Sequence, residues 1–487
     1  MDKKTPIQNL KYIRTAFLTH RNLRCFLLIF LCFFLTSAGY LSWLYHLMDH
    51  VPHKAADLLT MGGGYLLQAL GIAIAVRFIF RRSGSSVSRQ LFSLFTVIYT
   101  VCMIPALLSR SAAGTIVFGL LMNLFCGLIA AFYLHILTFE TDGEFRAILF
   151  GSSYAAATIA SWLLSFQGDH HFLQSSNVLF IYFILAASLL VLIRRESTAP
   201  QDIPPHDSSP KDSVPKTFIS AYAASQAGKK EGALQHLPFL IGTTVVVFSL
   251  VKNIGFGFPS TDLYDGVSLE ASRAFYAVGL LIAGYITEKD RKYGAVCTMA
   301  ALVTPFLILS LSGEPVPQTI FWALDYFVYG FFSVYRIILF SDLAKARAIP
   351  YYAGLGLLLG RVGDAAGTSL CKLFTDRVTA LVVLAALLFI AAIFLFFRLY
   401  QYLYVSVPSV RRPSEAEIFE HFSSRYDLSA REKEVLQLLL EKKTSSDIAE
   451  ALFISDRTVK FHIHNLLAKT ECKNRTELLA KYRAESL

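Results

Sequence analysis

The chain has 487 residues, of which 54% are hydrophobic, 14% aromatic and only 16% charged. Soluble domains carry about 25% charged residues, so this composition, with a mean hydropathy of +0.50, excludes an ordinary soluble protein and points to a polytopic membrane protein. The net charge of +10 is first a signal of orientation, and the seven cysteines, with no CxxC among them, offer neither a disulfide framework nor a metal site.

A basic leader, 1–23, precedes an apolar run that starts near Arg24 and is long enough to span, so no cleavable signal peptide is evident. Runs of roughly 18–25 apolar residues, the length of a bilayer-crossing helix, fall near 24–48, 57–80, 90–109, 112–137, 147–166 and 176–193. A second series falls near 237–258, 270–287, 295–312, 318–340, 351–371 and 378–397. The spacing therefore predicts spans one to six over 24–193 and spans seven to twelve over 237–397. Between them, 194–236 opens with "RRESTAPQDIPPHDSSPKDSVPK", a proline-rich and polar composition that cannot bury a core and reads as a disordered connector. "DHH" at Asp169–His171 reads as a solvated loop, because adjacent histidines lack a third metal ligand at useful spacing.

The leader and the loops near 81–90, 138–146, 194–236, 288–294 and 341–350 hold most of the loop Lys and Arg. The alternate set holds only Lys54, Arg110, Lys372 and Arg377. The positive-inside rule then places the amino terminus, the central loop and the carboxyl tail in the cytoplasm of a bacterial inner membrane. Gly284, Glu288, Lys289 and Gly294 in "GYITEKDRKYG" echo a G-x-x-x-D-R-x-G loop, with Glu for Asp and one extra residue. The first-half counterpart, "FRRSGSSVSRQ", keeps only basic residues and a glycine. Six spans, a long middle loop, six more spans and this motif resemble the major facilitator superfamily over most of the chain.

Ionisable groups inside spans mark function by default, since burying a charge in lipid is costly. Lys252, Asp325, Arg361 and Asp364 all fall in the second half of the bundle, at the midplane or in the outer half. Arg361 and Asp364, three residues apart, share a helix face; they either neutralise each other or, with Lys252 and Asp325, line a polar cavity for a small charged or zwitterionic molecule. "GLGLLLGRVGDAAG" has the glycines of a phosphate loop, but no strand precedes it and it lies in a span, where glycines let helices approach closely.

The linker 398–427 contains Pro413, Ser414 and Glu417, which predict a capping box opening a short helix with Ile418, Phe419 and Phe422 on one side. That helix is either a spacer clearing the headgroups or a second dimer contact or clamp on the carboxyl-terminal segment. From 428 to 487 the pattern turns amphipathic. Ser429 and Glu432 of "SARE" predict another capping box, and Val435, Leu436, Leu439 and Leu440 form an apolar stripe at helical spacing. A second helix, Ser446 to Phe453, turns into a third that starts at an N-cap, Ser455. On that third helix Val459, Ile463, Leu466 and Leu467 face one way. Arg457, Phe461, His464 and Ala468 face the other, flanked by Lys460 and Asn465. Cations, an amide and an aromatic suit a major groove, and Thr458 at the helix start suits a phosphate.

The stretch "LSAREKEVLQLLLEKKTSSDIAEALFISDRTVKFHIHNLLAKTECKNRTELL" resembles the LuxR-type (GerE-like) helix-turn-helix domain, chiefly in "LSAREKEVL", "IAEALFIS", "TVKFHIHNLLAKT" and "NRTEL". The resemblance implies base-facing roles for Lys460, Phe461 and His464, with Phe461 standing where a smaller aliphatic is usual. It also implies homodimers paired through the last helix, near Thr476–Arg483.

The expected fold is all-α: a twelve-helix, 6+6 membrane bundle followed by a four-helix LuxR-type domain. The expected function is a one-component transcriptional regulator that senses an unknown small molecule through the bundle and binds double-stranded promoter DNA, with membrane lipid as its surroundings. An active transporter with a regulatory tail, or a tail that binds protein, are the alternatives. No nucleophile–base pair or cofactor fingerprint is visible, so neither an enzyme nor a cofactor is expected.

Overall fold

The computed structural model describes residues 20–80, 85–141, 145–166, 177–198, 237–257, 269–304, 306, 315–346, 349–374, 377–404 and 415–485. These form seventeen helices and no strand. Residues 1–19 of the basic leader, the prolines of the central connector, the "DHH" loop and most of the proposed Ser414 capping box lie outside the described residues. Contacts divide the chain into two units, Met1–Val407 and Pro408–Leu487.

The first unit holds α1 (His20–Met48), α2 (His53–Ile79), α3 (Ser85–Leu108), α4 (Ala112–Phe139), α5 (Arg146–Phe166) and α6 (Asn177–Thr198). A second set comprises α7 (Leu237–Gly257), α8 (Leu269–Lys289), α9 (Arg291–Ala301), α10 (Pro315–Ala346), α11 (Leu355–Leu373) and α12 (Val378–Leu403). These twelve follow the expected spans in order. Among the described residues, nine of them are long and apolar enough to cross a membrane. The other three are α8 and α11, which carry charges, and α9, described over 11 residues.

Small residues set the closest approaches. A Cβ on Gly284 of α8 would meet the Ala147 carbonyl of α5 at 2.8 Å, so the first and second halves touch backbone to backbone there. Along α11, Gly356, Gly360, Gly363 and Gly367 recur every three or four residues on the buried face. Gly363 faces the Val246 carbonyl of α7, and Gly360 faces the Arg336 side chain of α10. The glycine-rich stretch is thus a packing face. Helix α2 is π-helical over Leu58–Gly64 and again over Ala75–Ile79; such wide turns often occur at functional positions.

The second unit holds α13 (Glu415–Arg425), α14 (Ala430–Leu440), α15 (Ser445–Leu452), α16 (Asp456–Lys469) and α17 (Arg475–Glu485). Its own core is built from Phe422, Leu428, Val435, Leu436, Leu439, Ile448, Val459, Ile463, Leu466, Cys472 and Leu478. Three of the four residues of the α14 stripe are buried, with Leu440 at its edge. The linker helix α13 is part of this core, since Phe422 is 1% exposed and its ring lies 5.1 Å from that of Tyr482 on α17. The chain there is therefore more than a spacer.

Candidate nucleic-acid interface and membrane charge cluster

Side-chain caps fix the ends of α14, α15 and α16. Ser429 and Glu432 form the expected capping box: the Ser429 N–H donates to Glu432 Oε2 at 2.8 Å and the hydroxyl accepts from Glu432 N. Thr444 and Asp447 form a second box, with Thr444 N donating to Asp447 Oδ2 at 2.9 Å. Helix α15 ends at Phe453 in the left-handed region (φ 53°). Ser455 Oγ then accepts from Thr458 N at 3.1 Å and starts α16. Burial pushes the Glu432 carboxyl up, but bonds from Lys469 Nζ (2.8 Å) and Ser429 outweigh it and hold it below its usual range. The hydrogen bonds from Thr444 hold Asp447 low as well.

On α16, Val459, Ile463 and Leu466 are buried against α14 and α15. Arg457, Lys460, Phe461 and His464 are exposed, and Thr458 and Asn465 are half-buried. The sequence-predicted face is therefore assembled on one side of one helix. Lys460 Nζ sits 2.6 Å from Asp456 on the same face, an exposed pair that water screens. Phe461 stays 61% exposed and Phe453, in the preceding turn, 95%.

In the first unit, three of the four proposed ligand residues meet directly. Lys252 Nζ of α7 lies 2.6 Å from Asp364 Oδ1 of α11, and Arg361 Nη1 lies 3.7 Å from Asp364 Oδ2. Arg336 of α10, absent from the sequence-predicted set, donates to Asp364 Oδ2 at 3.2 Å. A lone Arg in an apolar run was the available signal. The Lys252 ammonium also lies over the Tyr329 ring at 3.8 Å, and the Arg361 guanidinium over the Tyr65 ring at 4.2 Å. Asp325 of α10 is 2% exposed, and its Oδ2 has no hydrogen-bond partner. It lies one turn before Tyr329 but joins neither ion pair. The simple reading in which Arg361 and Asp364 neutralise each other is replaced by a network centred on Asp364.

A second buried network joins the two halves. Arg146, at the start of α5, bonds Asp342 Oδ1 of α10 at 2.6 Å, and Arg291 Nε bonds Asp342 Oδ2 at 2.9 Å. Glu288 pairs with Arg291 at 3.0 Å and accepts from the Ala147 N–H, in the first turn of α5, at 2.6 Å. The basic partner in this loop is Arg291, whereas Lys289 is exposed; the extra residue moves the cation to the first turn of α9.

Residues 427–481 match the family described as "Bacterial regulatory proteins, luxR family". The chain is 52% identical over 52 residues to the uncharacterized transcriptional regulatory protein YhcZ of Bacillus subtilis (strain 168), covering 11% of this chain and 24% of that protein. It is 40% identical over 62 residues to the spore germination protein GerE of the same organism, covering 13% of this chain and 84% of that protein. The chain thus spans most of GerE but only about a quarter of YhcZ. The crystal structure of the human organic anion transporter MFSD10 (TETRAN) superposes with a TM-score of 0.54 at 14% identity, covering 77% of this chain and 99% of that one. Fold and site together define a class: a major-facilitator-like membrane bundle carrying a helix-turn-helix DNA-binding domain. Through that domain, the chain belongs to the luxR family of bacterial regulatory proteins.

Proposed function

We propose that this protein is a membrane-anchored, one-component transcriptional regulator whose bundle senses a small molecule and whose C-terminal domain binds promoter DNA. The observation that carries the reading is the split of α16 between buried Val459, Ile463 and Leu466 and exposed Arg457, Lys460, Phe461 and His464. Phosphate contacts from Lys, Arg and the Thr458 end of the helix give most of the affinity, and the side chains in the groove give sequence preference. The family's habit of dimerising supports two half-sites read by two copies, paired through α17. The distribution of basic residues supports a bacterial inner-membrane location with both termini and the DNA-binding domain in the cytoplasm. The signal passes from Lys252, Asp325, Arg361 and Asp364 by shifting an equilibrium between arrangements of the bundle.

Chromatin mapping of the tagged full-length protein tests this. Discrete promoter peaks that vanish in Lys460→Ala, and an effector response lost in Arg361→Gln while the protein stays in the membrane, are expected. The same peaks in Lys460→Ala would sink the DNA reading. The transporter-like fold favours one competing account, a working transporter with a regulatory tail. Gradient-driven uptake into liposomes by protein ending at Val407 would support it.

A further inference from the structure

Both carboxylate oxygens of Asp364 are taken, Oδ1 by Lys252 at 2.6 Å and Oδ2 by Arg336 at 3.2 Å. Arg361 comes no closer than 3.7 Å to Asp364, beyond hydrogen-bond reach. Its Nε is buried without a partner, and among the described residues its guanidinium donates no hydrogen bond. Five donors in a fixed fork are thus held over Tyr65, with Cζ 4.2 Å from the ring centroid and the side chain 18% exposed. On α10, one turn before Tyr329, Asp325 Oδ2 is buried and also unpartnered, and Lys252 is the charge that acts on it. Three basic side chains face two acidic ones, so one formal positive charge is uncompensated, and the unbonded cation is Arg361.

The fork of a planar guanidinium above an aromatic ring matches a planar, two-oxygen acceptor. The missing charge is a single negative one, which matches a carboxylate and not a phosphate monoester, whose charge lies near −1.5 to −2. We infer that the edge of Arg361, on its Tyr65 platform between α2 and α11, seats the carboxylate of a small organic monocarboxylate. Asp325 accepts a hydrogen bond from a hydroxyl or ammonium group of the same molecule. The inference rests on the sensor reading for its location and adds the chemical class of the effector.

Charge-selective labelling tests it in full-length protein in nanodiscs. In a cysteine-free background, Tyr65→Cys should react faster with sulfonatoethyl than with trimethylammonioethyl methanethiosulfonate, by about tenfold after correction for free-thiol rates. Adding Arg361→Gln should remove that preference. An unchanged ratio, a preference for the cationic reagent, or no reaction with either overturns the inference. The wild-type protein gives a second readout should those variants fail to fold. Phenylglyoxal modification of Arg361, followed by mass spectrometry, should be slowed by acetate and lactate but not by acetamide. Equal modification in all three solutions overturns the seat. Labelling does not depend on transcription: an anion seat found in a protein whose promoter occupancy ignores every carboxylate would remove the sensor reading and leave this one.

Discussion

Lys252 and Asp364, 112 positions apart in the chain, meet at 2.6 Å where α7 packs on α11, and Arg336 of α10 completes the contact. One carboxylate therefore holds three helices of the second half together. Deleting it leaves buried cations unpaired, which costs about 3–5 kcal/mol. Asp364→Asn should lower the melting temperature in nanodiscs strongly. Asp325→Asn, which removes no hydrogen bond or ion pair, should leave it nearly unchanged. Equal effects would contradict the network.

Glycines of α11 and α2 make a second contrast. At Gly360 a Cβ would press on the Arg336 guanidinium, with Cδ and Cζ both at 3.0 Å, whereas at Gly62 the nearest atom is Ser369 Oγ at 3.7 Å. Gly360→Ala should push Arg336 off Asp364 and destabilise by about 1–3 kcal/mol, and Gly62→Ala should be tolerated. Thermal melts of the two variants decide.

Acid should loosen the DNA-binding domain through its caps. Glu432 and Asp447 are held low in the folded state, so their contribution is complete above the unfolded values, about 4.3 and 3.9, and is lost as pH falls through the folded ones. A melting curve between pH 7 and 3 should fall only at the acid end. Ser429→Ala should lower stability by about 1 kcal/mol at pH 7.

DNA binding should split by residue type. Lys460→Ala should weaken binding on all sequences and lower the salt slope by about 1. Phe461, 61% exposed amid cations, suits a thymine methyl. Replacing one operator thymine by uracil should weaken the wild type about fourfold, the worth of about 0.8 kcal/mol for one buried carbon. Phe461→Ala should be indifferent to that change. Gel-shift titrations measure both.

Much of this is legible in the sequence because it depends on local rules. Span lengths, the Ser429–Glu432 box, the Ser455 cap and the two faces of α16 all follow from periodicity and short-range hydrogen bonding. Arg336 escapes such rules because its partner, Asp364, lies on another helix, whereas Arg361 and Asp364 can be paired along one. Tyr65 escapes them because a tyrosine in an apolar span carries no signal until an arginine is found above it. That Phe422 joins the core of the second unit depends on a contact with Tyr482, 60 positions on, which no local pattern encodes.

The wide turns of α2 have a mechanical consequence. Leu58–Gly64 holds its residues in a slacker winding than an α-helix and ends directly before Tyr65. Rewinding the same residues as α-helix would turn everything beyond them by about 100° about the helix axis, swinging the tyrosine ring from beneath Arg361. Deleting Gly63 takes out the extra residue with the flanking register kept, so the stretch can no longer rewind, and promoter occupancy that no longer answers to effector should result. Span two behaves in this respect as a screw with one thread in reserve.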